Sequence, residues 1–349
     1  MALPSTDGGA AANVAGPEKR YAVEFSASTS EYFRIRIVNL ALTIVTLGIY
    51  SAWAKVRKRR YFYGHTRIDS ESFEYRANPL AILKGRLIAV AIIAVFYGVG
   101  YFAPLYKLLL WIPLAILGPW LLVRSLAFNA YNTAYRNVRF RFEGTYRACL
   151  KIVLVYGWLV FTGLLYPYLK HRLIRFVAEN HRYGTTRFEI ADFKKPFISA
   201  YASAFGLGML LMGALFTALM WAGALGTKSP VLPIGISVSS YAGLFLLFAY
   251  IRARTTNAIW NAVRIGPLNL ESSLRARDLI WLYFSNFVVV ALTIGLATPW
   301  AVVRAMRYRA SKTTAIASGP LDGFAEGQAQ RVSVAGEEVA ELFDIDIAL

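Results

Sequence analysis

Seven stretches free of Asp, Glu, Lys and Arg interrupt a basic chain: Ile37–Ala54, Leu87–Tyr106, Leu108–Val123, Ile152–Leu169, Pro196–Thr227, Ser229–Ile251 and Leu279–Val303. Most reach the roughly 17–25 residues that a membrane-spanning helix needs. The shortest, Leu108–Val123, extends if Lys107 snorkels. A chain of 349 residues has room for two or three soluble domains, but these stretches leave little material for one. Only 17% of residues are charged and 57% are hydrophobic, against about a quarter charged in a soluble domain. The net charge is nonetheless +18, so bases and apolar residues are segregated. That excludes an ordinary soluble enzyme, makes nucleic acid an unexpected partner, and points to a polytopic, all-α integral membrane protein.

The ends differ from the body. Residues 1–20 are rich in Ala, Gly and Pro and read as disordered, with no cleavable signal. Residues 312–349 carry seven acids against Lys312 and Arg331 and read as a mobile acidic tail, leaving residues 1–311 with 36 bases against 13 acids. A single cysteine, Cys149, allows no internal disulfide.

An internal repeat organises the rest. Three apolar segments close on one spacing: Gly48, Trp53, Arg57, Arg60, Tyr61; Gly163, Tyr168, Arg172, Arg175, Phe176; and Gly295, Trp300, Arg304, Arg307, Tyr308. Short alternating pieces recur around them, at Val23/Phe25, Phe73/Tyr75, Phe140/Phe142, Phe188/Ile190 and Leu268/Leu270, and read either as short strands of a small sheet on the cytoplasmic face or equally as loose loops. A further pairing sets Asn132, Tyr135, Val138 and Arg139 against Asn257, Trp260, Val263 and Arg264. The expected organisation is a repeat over residues 21–138, a second over 139–263 and a half copy over 264–311.

Basic loops set the expected orientation. Seven plain spans place the bases of 55–86 and 124–151 inside but throw those of 170–195 and 252–277 outside, against the positive-inside rule. They also invert the second Gly-Trp segment relative to the first and third. Both conflicts vanish if each Gly-Trp segment is re-entrant, a helix that enters, breaks near its glycine and returns. All basic clusters, and both termini, are then cytoplasmic.

The run from Asn39 to Tyr75 closely resembles the YjgN-like family of bacterial inner-membrane proteins, with echoes at Thr162–Leu164 with Pro167 and Tyr168, and at Thr293–Leu296 with Pro299 and Trp300. The family usually reads Pro-Trp where this chain has Ala52-Trp53. The resemblance covers about residues 21–311. It implies a bacterial inner-membrane address and a family without established activity, and it supplies no catalytic residues to carry over.

Chemistry is sparse. His65, His171 and His181 have no ligand-spaced partner, and no metal, nucleotide or nucleophile motif occurs. No enzyme activity, metal or cofactor is therefore expected. The apolar stretches hold no ionisable carboxylate or base, which argues against ion-coupled pumping. Asn39, Asn132, Asn257 and Asn286 are the candidates for a polar lining or for helix contacts. Two functions remain expected: a small-solute carrier or channel, or a non-transporting scaffold whose basic clusters, Arg57 to Arg60 among them, hold anionic headgroups while a cytoplasmic protein of unknown identity is engaged.

Overall fold

The structure, a computed structural model, describes residues 18–102, 111–158, 163, 165–224, 226 and 231–339. Ten strands form one closed antiparallel barrel, in the order β1-β10-β9-β8-β7-β6-β5-β4-β3-β2. They are β1 (Lys19–Phe25), β2 (Thr66–Ile68), β3 (Glu71–Tyr75), β4 (Thr133–Tyr135), β5 (Val138–Phe142), β6 (His181–Tyr183), β7 (Thr186–Ile190), β8 (Val263–Ile265), β9 (Leu268–Ser272) and β10 (Thr313–Ala317). Closure joins the two ends of the chain: Tyr21 of β1 lies opposite Ala315 of β10.

Between the strands run five helical pairs: α1 (Thr29–Val45) with α2 (Ser51–Gly64), α3 (Pro79–Phe102) with α4 (Trp111–Tyr131), α5 (Tyr146–Tyr156) with α6 (Tyr166–Glu179), α7 (Lys194–Ala224) with α8 (Val231–Trp260), and α9 (Ala276–Leu292) with α10 (Thr298–Ser311). The recurring unit is thus strand, helix, helix, strand. Four two-residue turns join successive units. Asp69-Ser70 and Arg136-Asn137 place both residues at positive φ, while Gly184 and Gly266 supply it in the other two, the geometry that suits the twist of paired strands. In an antiparallel meander, all four turns share one end of the barrel, so every helical pair leaves and returns at the other.

The interior is filled. Tyr135, Tyr183 and Ile265 are buried, with Ile68, Phe73, Phe140, Phe188, Leu268 and Leu270 packed against them. Ile68 and Leu268 meet this cluster although β1 and β10 separate their strands, which places them on the inner wall. The Tyr183 hydroxyl donates to the Tyr135 carbonyl at 3.0 Å, and the Tyr135 hydroxyl donates to the Ile68 carbonyl at 2.7 Å. These bonds skip strands and so cross the inside. A last helix, α11 (Leu321–Val339), closes the turn end. Gln328, 3% exposed, accepts from the amides of Thr185 and Thr186 at 2.9 and 3.2 Å. Asp322 pairs with Arg136, which also holds Asp69 at 2.9 Å.

Several expectations are corrected. The protein is not all-α, because a closed ten-stranded barrel lies at its centre. The alternating pieces are five of its strands; four of their partners are too short, at three residues, to show alternation, and the fifth, β10, lies in the stretch expected as tail. Seven plain spans are also excluded: Ile37–Ala54 and Leu279–Val303 are each broken by a turn. Among the described residues, three helices are long and apolar enough to cross a membrane: α3, α7 and α8. The paired Asn132 and Asn257 sets do not correspond, since the barrel matches Thr133 with Val263 and Val138 with Leu268. Residues 313–317 and 321–339, expected as mobile tail, are β10 and α11. Residues 1–17 and 340–349 lie outside the described residues.

Candidate headgroup site

The first and third Gly-Trp segments are helical hairpins that share their hydrogen bonds atom for atom, and in the second α5 packs against α6. In the first, the Thr46 hydroxyl donates to the Leu42 carbonyl at 2.7 Å and accepts from the Tyr50 amide at 2.9 Å. In the third, Thr293 does the same with Val289 and Ala297, at 2.7 and 3.0 Å. Gly48 and Gly295 sit at φ +92° and +87°, each preceded by a positive-φ residue, Leu47 or Ile294. Gly163 of the second copy has φ +64°. Pro167 and Pro299 open α6 and α10, but Ala52 fills their place in α2. The threonine cap and the glycine therefore make the break without proline. The tips are apolar: Leu47 and Ile294 are each 94% exposed.

Behind each tip the repeat residues divide by task. Tyr61 fastens the hairpin to the barrel: its hydroxyl accepts from the Ser28 amide and donates to the Ser28 carbonyl, both at 2.9 Å. Tyr308 takes the equivalent residue, accepting from the Arg275 amide at 3.2 Å and donating to Asp278 at 3.2 Å. Phe176 lacks the hydroxyl and packs edge-on against Phe142 instead. Arg60 donates to the carbonyls of Tyr75 and Ala77 at 3.2 and 3.3 Å, and Arg307 to that of Ala27 at 3.1 Å. Both alanines are wholly buried, so these guanidiniums satisfy backbone groups that water does not reach. Arg175 pairs with Glu179 at 2.6 Å.

The outer arginines lie nearer the tips. Arg304 donates to Ser285 at 2.6 Å and Asn286 at 3.0 Å, and its guanidinium lies 5.1 Å from the Trp300 ring centre. Arg172 stands 5.5 Å from the Tyr156 ring and Lys194 5.7 Å from that of Tyr168. Trp53 stacks on Tyr50. Arg57 is exposed and makes no hydrogen bond or ion pair among the described residues. Between α9 and α10 an open groove of about 730 Å³ brings together Arg277, Arg304, Arg307 and Trp281. Its one carboxylate, Asp278, already accepts from Tyr308.

The asparagines do not converge. Asn286 donates to the Ala301 carbonyl at 3.2 Å, and Asn132 to that of Phe128 at 2.7 Å, finishing α4. Asn257 clasps the β9–α9 link, donating to the Leu274 carbonyl and accepting from the Leu274 amide, both at 2.9 Å. Asn39 is buried and its Oδ1 has no partner among the described residues. Among those residues no His, Cys, Asp and Glu cluster is fit to hold a metal. Arg136, Asp69, Asp322 and Gln328, which close the turn end, carried no signal in the repeat. The short turns Asp69-Ser70 and Arg136-Asn137 were the clue available.

Residues 20–342 match the family described as "Bacterial protein of unknown function (DUF898)". The chain belongs to that family. It is 24% identical to "Inner membrane protein YjgN" of Salmonella typhimurium over 352 residues, covering 83% of this chain and 87% of that protein. The protein of the same name from Escherichia coli O157:H7 is 32% identical over 128 residues, covering 34% of this chain and 30% of the relative. No solved structure matches. The three long apolar helices agree with the membrane that the relatives' names state.

Proposed function

We propose that the chain is a non-transporting inner-membrane protein that holds its barrel against the cytoplasmic leaflet and grips anionic lipid headgroups there. The observation that carries this reading is the one-sided crown: all five helical pairs leave and return at one end of the barrel. The long pairs, with helices of 24, 31 and 30 residues, reach about 36–46 Å and cross a hydrocarbon core of about 30 Å. The first and third hairpins, with helices of 17 and 14 residues, reach only about 21–26 Å, so they dip in and return. Their exposed tips enter the acyl region, and the outer arginines lie at headgroup depth, where each contributes about 1 kcal/mol toward anionic lipid. The barrel and α11 are then cytoplasmic.

A solute pathway finds less support. The barrel interior is packed with aromatic rings, and Asn132, Asn257 and Asn286 are spent on separate backbone contacts. The test pairs two measurements on the reconstituted protein. Lipids retained after extraction from mixed phosphatidylcholine and phosphatidylglycerol are expected to be enriched in the anionic species, and less so after Arg304→Gln. Sealed vesicles are expected to show no uptake across a broad solute panel. Unbiased lipid retention refutes the grip, and uptake of any solute above empty vesicles refutes the non-transporting assignment.

A further inference from the structure

The face between α2 and α3 gathers three cations with no acid paired to them among the described residues. Ser51, Lys55 and Arg59 recur at four-residue spacing and so line one side of α2. Arg86, in the second turn of α3, reaches across to donate to the Ser51 hydroxyl. Arg59 is held from behind: one guanidinium nitrogen donates to the Tyr75 hydroxyl at 2.8 Å and to Asn129, and its plane lies 5.1 Å from the Tyr75 ring. A guanidinium carries five N–H donors, and each arginine here spends only one nitrogen. Partial desolvation, then the charges of Arg59 and Arg86, hold the ammonium of the exposed Lys55 below the ordinary lysine value. No carboxylate pairs with any of the three among the described residues. Like charges brought together on two packed helices oppose that packing, so the arrangement calls for an anion. Arg86 fixes its depth, because the next residue begins the charge-free run from Leu87 to Tyr106.

We infer that Lys55, Arg59 and Arg86 form a phosphate-binding site at the base of α3, and that the phosphodiester of an anionic lipid occupies it. This deepens the proposed grip on headgroups and rests on that reading. It differs from the run Arg57 to Arg60 read from sequence, since Arg60 is turned to the barrel and Arg57 lies off the stripe. Free phosphate presents the same chemistry, so the experiment separates the two sources.

The full chain is reconstituted in phosphatidylcholine alone, in phosphatidylcholine with phosphatidylglycerol, and in phosphatidylcholine with added inorganic phosphate. The rate of Lys55 acetylation is read by mass spectrometry against Lys312 in the same molecules. With phosphatidylglycerol, Lys55 is expected to be protected about fivefold or more, the effect of about one cation's worth of binding. Protection only by inorganic phosphate keeps the site and overturns the lipid as occupant. Equal relative rates in all three overturn the site. Arg86→Gln is expected to remove most of the protection, while Arg20→Gln, on the barrel wall, retains it. Undiminished protection in Arg86→Gln assigns the effect to general surface potential and overturns the site. Arg304→Gln leaves Lys55 protection intact, so failure of the α9–α10 groove and failure of this site are read separately.

Discussion

Replacing Gln328 by alanine tests whether α11 closes the barrel. The Gln328 carbonyl oxygen accepts from the Thr185 amide, the Thr185 hydroxyl and the Thr186 amide, at 2.9, 2.9 and 3.2 Å. Truncation leaves two backbone N–H groups without an acceptor, while the hydroxyl turns to another partner. Orphaned donors cost about 1–3 kcal/mol each, and these two are only partly buried, so the low end applies and the loss is about 2 kcal/mol. That is about a 30-fold rise in the population with α11 detached. Hydrogen exchange reads it directly: protection of the Thr185 and Thr186 amides and of residues 321–331 is expected to fall by that factor. Gln328→Glu keeps an acceptor and is expected to lose less. Gly184→Ala attacks the contact from the other side, because a Cβ there meets Gln328 at 2.9 Å and the backbone sits at φ +59°. Unchanged protection in Gln328→Ala would refute the seating of α11.

Other predictions follow from the hairpins and the histidines. A Cβ at Gly48 meets nothing within 4 Å, so Gly48→Ala isolates backbone strain at φ +92° and is expected to cost about 1–3 kcal/mol in denaturant titration, whereas Gly64→Ala, at the last residue of α2 and without positive φ, should not destabilise. Tyr61→Phe removes both bonds to Ser28 and is expected to cost about 1–3 kcal/mol, with the Phe176 copy showing that the ring alone is tolerated there. Burial lowers the His181 pKa, and burial with Arg172 and Arg175 nearby lowers that of His171. The unfolded chain then binds more protons, so stability rises with pH across the interval between the folded values and about 6.5, and is lost as pH falls through it. Thermal unfolding at about pH 7.5 and about pH 5.5 should show a smaller drop for His181→Gln than for the parent.

The hairpins were legible in the sequence because their cause is local. A glycine that must take positive φ and a fixed spacing to the arginines leave a direct imprint, whereas the threonine caps at Thr46 and Thr293 were not marked by the repeat. The barrel was not legible. β2, β4, β6 and β8 have three residues each, too few to display period-two patterning, and the pairing of Lys19 with Ala317 spans nearly the whole chain. Helix α11 was hidden by composition: acids and glycines suggested a solvated tail, while its buried residues, among the described ones, are Leu321, Ala325 and Gln328. Of the repeat arginines, sequence marked the residues but not their tasks. Arg60 and Arg307 answer to buried carbonyls, a partner no side-chain pattern reveals.

A barrel held against one leaflet by returning helical pairs puts all four of its turns on one side of the membrane. Single cysteines at Ser70, Asn137, Thr185 and Pro267, in a Cys149→Ala background, can be exposed to a membrane-impermeant thiol reagent from either face. All four are expected to label from the cytoplasmic face and none from the periplasmic face. Periplasmic labelling at even one turn would contradict a barrel held on one side by returning helical pairs.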